Sequence, residues 1–343
     1  MAAPAKVGHG MTPGQTFAAK SRGTFSWGSA HRRMRAGLFL GTLFLLAAQV
    51  RAATYYLTIA GLGHEPEYEQ RFVGLANELD KLLKNSAGDF RVYTLTGAQA
   101  TRQGLTQTFE EIGRESKPDD DFVLILIGHG SFDGFEYKFN LQGPDISAGE
   151  LASLCNAVHS RRQLIVNTTS ASGGSIAALQ RPGRAIITAT KSGTEKNATV
   201  MARYWVEALR DPQADTNKND VISALEAFQY AQAKTAAFYD AQKRLPTEHA
   251  VFEDTGEHEP VREASTGTGE GLLMSSFGLV RLGEVQRASN DPVKRALLRQ
   301  REDLERNIDA LKYRKSAMPE EEYKRELTKS LLELAKIQEE IEK

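Results

Sequence analysis

Five short apolar runs divide the first two thirds of the chain, and amphipathic stretches separate them. Residues 55–60 (YYLTIA) stop at Gly61-Leu62-Gly63, and residues 90–95 alternate. Residues 122–127, after Asp121, and residues 164–166 are unbroken and apolar, and residues 184–190 follow Pro182-Gly183. Such runs are too short to span a membrane. Without alternation they predict strands buried on both faces, as in a parallel sheet covered by helices. The stretches between them carry apolar residues at helical spacing: Phe72, Leu75, Ala76, Leu79 and Leu82 after Pro66; Leu105, Phe109 and Ile112; Leu151, Leu154, Cys155 and Val158; then Met201, Tyr204, Trp205, Ala208 and Leu209. Ser147 followed by Glu150 predicts a capping box at the third of these helices. Strand and helix in alternation predict an α/β domain with a mostly parallel sheet and helices on both faces.

Residues 132–145 mix aromatic residues with Gly, Asp and Asn, which predicts a hairpin or loop. Beyond residue 210 the pattern changes. A long helix is expected after residues 215–226, reaching about residue 241. Residues 253–271 are polar and glycine-rich and read as a loop, and residues 272–282 (LLMSSFGLVRL) as one last strand. From Asp291-Pro292 to Lys343 the chain is dense in Glu, Lys, Arg and Leu, with two helical stripes divided at Met318-Pro319. The expected organisation is an N-terminal extension at 1–53, the α/β domain at 54–282, and a helical hairpin or coiled coil at 291–343. The hairpin either binds a partner or a second copy of the chain, or packs on its own domain.

Arg32, Arg33 and Arg35 precede the apolar run 36–50 and the small residues Ala52 and Ala53. A basic segment, a short apolar segment and a small-residue cleavage site predict a signal peptide, with an uncleaved anchor as the alternative. Met34 is an ordinary-looking start, so residues 1–33 read as a candidate over-long extension. The expected mature protein is exported, periplasmic or extracellular, with no membrane span after cleavage. Over 343 residues the net charge is −1, which gives no electrostatic footprint for nucleic acid. The single cysteine, Cys155, excludes an internal disulfide framework and falls on a core stripe.

In open α/β sheets ligands bind at the carboxyl edge of the strands. The run 121–127 leads into Gly128-His129-Gly130, and the run 164–166 leads into Ser170-Ala171-Ser172-Gly173. A hydrolytic pair needs a nucleophile and a base from different strands, with backbone N–H groups free to hold an oxyanion. His129, Gly130, Ser170 and Ser172 are the candidates. A strand ending in His-Gly, followed by one ending in a nucleophile and then x-Ser-Gly, resembles the caspase/legumain fold group of cysteine peptidases. It looks nearest to the bacterial proteins grouped with the legumain-like C13 peptidases. The resemblance covers about residues 55–190 and implies a caspase-like fold and a peptide or protein substrate. This chain departs from it at the nucleophile. Where the family motif reads Cys-x-Ser-Gly, Ser170 stands in the cysteine position. A thiol ionises readily, whereas a serine hydroxyl needs a well-oriented base. Three readings stay open: Ser170 as nucleophile with His129 as base, a site that binds peptide without cutting it, or plain scaffold. A serine elbow centred on Ser172, with His249 or His258 as its histidine, is a further alternative. His64 and His159 read as solvated residues, and Asp133 and Glu136 as pocket-shaping or merely solvated loop residues.

Residues 215–226 (DTNKNDVISALE) fit the twelve-residue calcium loop of EF-hands. Asp215, Asn217, Asn219, Ser223 and Glu226 supply oxygens at positions 1, 3, 5, 9 and 12, and Val221 a carbonyl at position 7. Asp220 replaces the usual glycine. With two charged ligands, the expected Ca²⁺ affinity is weak, on the order of 10⁻⁴–10⁻³ M. The alternative is a polar turn between helices. The functional expectation is an exported peptidase-like protein, either a weak serine-type hydrolase or a non-catalytic peptide binder. The competing expectation is an interaction protein whose hairpin carries the function.

Overall fold

The computed structural model describes residues 52–283 and 291–343. The basic residues and apolar run of the predicted signal segment lie outside them, whereas Ala52 and Ala53 of its expected cleavage site are described. Among the described residues no helix is long and apolar enough to cross a membrane.

Six strands form the central sheet in the order β10-β8-β7-β3-β1-β2. They are β1 (Thr54–Ala60), β2 (Phe90–Leu95), β3 (Asp121–Ile127), β7 (Arg162–Asn167), β8 (Arg184–Thr188) and β10 (Val251–Glu253). The first five run parallel, and β10 joins β8 antiparallel. The chain is therefore α/β with a mostly parallel sheet.

Alternate residues of each strand enter opposite cores. Tyr56, Val123, Ile125, Leu164 and Val166 pack with α1 (Pro66–Asn85), α5 (Met201–Ala208) and α6 (Ala224–Ala241). Leu57, Ile59, Phe122, Leu124 and Ile165 pack with α2 (Arg102–Glu115), α3 (Ala148–Ala157) and α4 (Ile176–Leu179). Burial on both faces explains why these strands read as apolar without alternation. The Ser147–Glu150 capping box forms as expected, and Cys155 is buried.

The 132–145 segment belongs to a small antiparallel sheet, β4 (Gly130–Phe132), β5 (Tyr137–Phe139) and β6 (Ile146–Ser147). The 272–282 segment differs from expectation. It makes a short helix, α7 (Leu272–Ser275), then β11 (Gly278–Arg281), which pairs with β9 (Val221–Ser223) instead of the central sheet. At the C-terminus α8 (Pro292–Tyr313) and α9 (Glu320–Glu342) form an antiparallel hairpin, with Lys294 Nζ near the start of α8 donating to the Ile341 carbonyl near the end of α9.

Candidate functional site

Register brings the carboxyl ends of the strands level. Ala60 faces Ile127, Leu126 faces Asn167, and Asn167 faces Thr188. Every segment that follows these residues meets at one edge. Asn167 organises the turn after β7: its Oδ1 accepts from the Thr169 hydroxyl (2.8 Å), and its Nδ2 donates to Ser175 Oγ (3.1 Å). Thr169 Oγ1 also shares a 2.6 Å hydrogen bond with Tyr137 OH of β5. The chain then reverses through Ala171, whose φ of 56° lies in the left-handed region. Gly130 and Gly173 are fixed by close approach. A Cβ on Gly130 would lie 2.6 Å from the Ser170 carbonyl oxygen, and one on Gly173 would lie 2.3 Å from the Ser192 nitrogen.

These contacts bring Ser170 to Gly130. Ser170 is 3% exposed. Its hydroxyl donates to the Gly130 carbonyl (3.0 Å) and accepts from the Gly130 N–H (3.1 Å). Both capacities are spent on the backbone beside His129. The His129 ring packs elsewhere: its centroid lies 4.8 Å from Tyr68 and 5.1 Å from Phe72 of α1, and 6.3 Å from His64 just before that helix. Among the described residues no hydrogen bond joins His129 to Ser170. Burial, then the neighbouring His64 and Arg71, lower the His129 pKa and hold the imidazole neutral.

Ser172 is fully buried; its Oγ accepts from the Thr190 N–H (3.1 Å) and meets Thr190 Oγ1 at 3.2 Å. It holds the turn against the β8 end. His249 pairs through Nδ1 with Glu195 Oε1 at 2.6 Å, and His258 with Glu270 at 3.0 Å. Asp133 Oδ1 accepts from the N–H groups of Phe135 and Glu136, which fixes the β4–β5 turn.

A cavity of about 170 Å³ opens at the same edge, lined by Phe72, Thr168, Thr199 and Tyr204 together with Arg71 and Arg203. Arg71 lies over the Tyr68 ring (4.6 Å) and Arg203 over the Tyr204 ring (5.4 Å). No ion pair among the described residues engages either guanidinium. Two apolar residues elsewhere on the surface are strongly exposed, Phe135 (96%) on the β4–β5 turn and Leu245 (86%) before β10. The sequence pattern flags neither arginine. Each follows or precedes a core residue on its helix, and only the way α1 and α5 cross the sheet edge aims them at one cavity. His64, expected to be solvated, is part of this edge through its contact with His129.

The 215–226 segment is a compact loop ending in β9 and α6. Asp215 accepts from the N–H groups of Asn219 and Asp220, Asn217 from Asn219, and Asn219 from Val221. Asp220 takes φ 60°, the conformation that glycine usually supplies there. Ser223 caps α6 and Glu226 closes the capping box. Glu226 Oε1 accepts from the Thr216 and Asn217 N–H groups. The oxygens of Asp215, Asn217, Asn219 and Glu226, with the Val221 carbonyl, are of the kind that could hold a hard cation. Among the described residues no three or more His, Cys, Asp or Glu side chains gather as a metal cluster, so the set relies on amide and backbone oxygens.

No family model matches the chain, and no curated protein matches it. Solved structures similar to it include a Geobacter sulfurreducens protein determined as a structural-genomics target, with TM-score 0.43 and 10% identity over 68% of this chain and 100% of that one. The Drosophila initiator caspase Dronc is similar with TM-score 0.40 and 9% identity, over 61% of this chain and 81% of that one. Caspase-1 from Spodoptera frugiperda is similar with TM-score 0.41 and 13% identity, over 60% of this chain and 87% of that one. At these values the likenesses carry no residue's role across to this chain.

Proposed function

We propose that the chain is a caspase/legumain-like, C13-type peptidase relative whose strand-end site binds peptide without cleaving it, with Ser170 in the nucleophile's place. The observation that carries this reading is the double hydrogen bond between the Ser170 hydroxyl and Gly130. Catalysis would need Oγ to leave both partners and turn to His129, whose ring packs against Tyr68 and Phe72. It would also need the Gly130 N–H free for an oxyanion, and Ser170 occupies that donor. The cavity supplies the binding half. Two arginines over an apolar floor favour a carboxylate, from an acidic side chain or a peptide C-terminus.

Serine-type hydrolysis is the second reading, favoured by the neutral His129 imidazole. Intact-mass spectrometry after incubation with a fluorophosphonate probe separates the two. No adduct is expected; an adduct that disappears in Ser170→Ala overturns the non-catalytic reading. Ca²⁺ in loop 215–226, export through the N-terminal segment, and a peptide partner all belong to the same proposal. Export is tested by N-terminal sequencing of the mature chain, with Ala53 expected at or near its start. A chain that retains residues 34–50 contradicts cleavage.

A further inference from the structure

The two large cores are built on the central sheet, and neither includes a residue of α8 or α9. The hairpin meets the rest of the chain through a small apolar cluster, Val221 with Leu298 and Ile341, and through a set of polar contacts; of the other apolar side chains of α8, Ile308 and Leu311 are also buried. Arg281 of β11 forms a two-point ion pair with Glu302 (2.8 and 2.9 Å). Arg301, 7% exposed, donates to the Asn219 carbonyl (2.5 Å), and Asn219 Nδ2 donates to Glu305 (2.8 Å). Tyr313 OH donates to the Glu270 carbonyl (3.0 Å). Between α8 and the amino-terminal edge of the sheet lies a cleft of about 770 Å³ whose walls include Asp121, Arg162, Arg281, Glu302 and Glu305.

We propose that the hairpin is a releasable strap, latched by charged contacts to loop 215–226 and β11, which covers this cleft when docked. An element held by apolar burial keeps its place in salt, whereas one held by ion pairs and charge-assisted hydrogen bonds loosens as salt screens them. On the loop side the hairpin contacts Asn219 and Val221. If the cation reading above holds, the same two residues supply the side-chain oxygen at position 5 and the carbonyl at position 7. Ion binding and docking then order one segment from opposite sides, and each strengthens the other by the same factor.

Cys155 is buried, so spin labels on the exposed positions Lys329→Cys (α9) and Glu110→Cys (α2) report the hairpin's position in the full chain. Electron–electron double resonance is expected to give one narrow distance at low salt. At roughly 1 M salt, where the Debye length is about 3 Å, it is expected to give a broad and longer distribution while circular dichroism of the fold is unchanged. Glu302→Ala is expected to show the broad distribution already at low salt. An identical narrow distance in every condition overturns the strap, and if Glu302→Ala does not fold, the salt series on the labelled chain decides. Calorimetry with calcium separates the two proposals. If calcium binds, it should at least double the salt needed for release, and bound calcium without such a shift overturns the coupling. If no calcium binds, the cation reading falls and the salt series alone judges the strap.

Discussion

The Ser170 hydroxyl and the Gly130 backbone hold each other twice, at 3.0 and 3.1 Å, and so tie the end of β7 to the segment leaving β3. Ser170→Ala leaves two backbone groups of Gly130 short of a partner and is expected to cost about 1–3 kcal/mol. Gly130→Ala drives a Cβ into Tyr137, Ser170 and Thr169 at 2.5 to 2.7 Å, an overpacking expected to cost about 1–3 kcal/mol. Urea unfolding of both variants measures these losses. A Ser170→Ala protein as stable as the parent would mean that the hydroxyl is not a structural tie.

His129 makes stability pH-dependent. Its folded pKa is lowered, so the unfolded chain takes up a proton first as the pH falls. The group therefore stabilises the fold fully above about pH 6.5, and this contribution is lost as the pH falls through the ordinary histidine range toward the folded pKa. Between pH 7.5 and pH 5 the urea midpoint of the parent is expected to drop more than that of His129→Gln. Buried carboxyls such as Glu248 and Asp254, whose pKa values are raised, act in the opposite direction but are common to both proteins. Parallel pH profiles would contradict the burial of the ring.

Cys155 is the only thiol, and burial pushes its pKa up to about 11. Reaction with a disulfide reagent at neutral pH is expected to be negligible in the folded protein and complete after denaturation. Rapid reaction of the native chain would place α3 wrongly.

Glu226 is the twelfth residue of the proposed calcium loop and the partner of the Ser223 cap. Glu226→Gln is expected to abolish calcium binding by calorimetry and to cost about 1 kcal/mol through the weakened cap. Unchanged binding would remove the loop from the list of cation sites.

Much of this fold is legible in the pattern of apolar positions. Strands β2 and β3 fall on the expected residues because both runs are bounded by breaks. The Ser147 capping box is readable because its two members stand three apart. What fails is what depends on the partner. β10 is three residues long and lies among polar neighbours, so its run carries no strand signal. The 272–282 segment is apolar enough for a strand, but nothing in it says that β11 pairs with β9, or that Leu272–Ser275 turns as a helix first. Both strand ends of the site are visible as sequence, whereas the direction in which Ser170 and His129 point is set by groups from other elements. Tyr68 and Phe72 draw the His129 ring toward α1, and Gly130 draws the Ser170 hydroxyl away from it.

The central claim is peptide recognition without cleavage at the carboxyl edge. It is tested most directly by passing a defined peptide library over the immobilised protein and reading bound and free fractions by mass spectrometry. The parent is expected to retain intact peptides enriched in carboxylates, and the Arg71→Ala/Arg203→Ala protein to lose that enrichment. Cut fragments that vanish in Ser170→Ala, or no enrichment in the parent, would contradict the account.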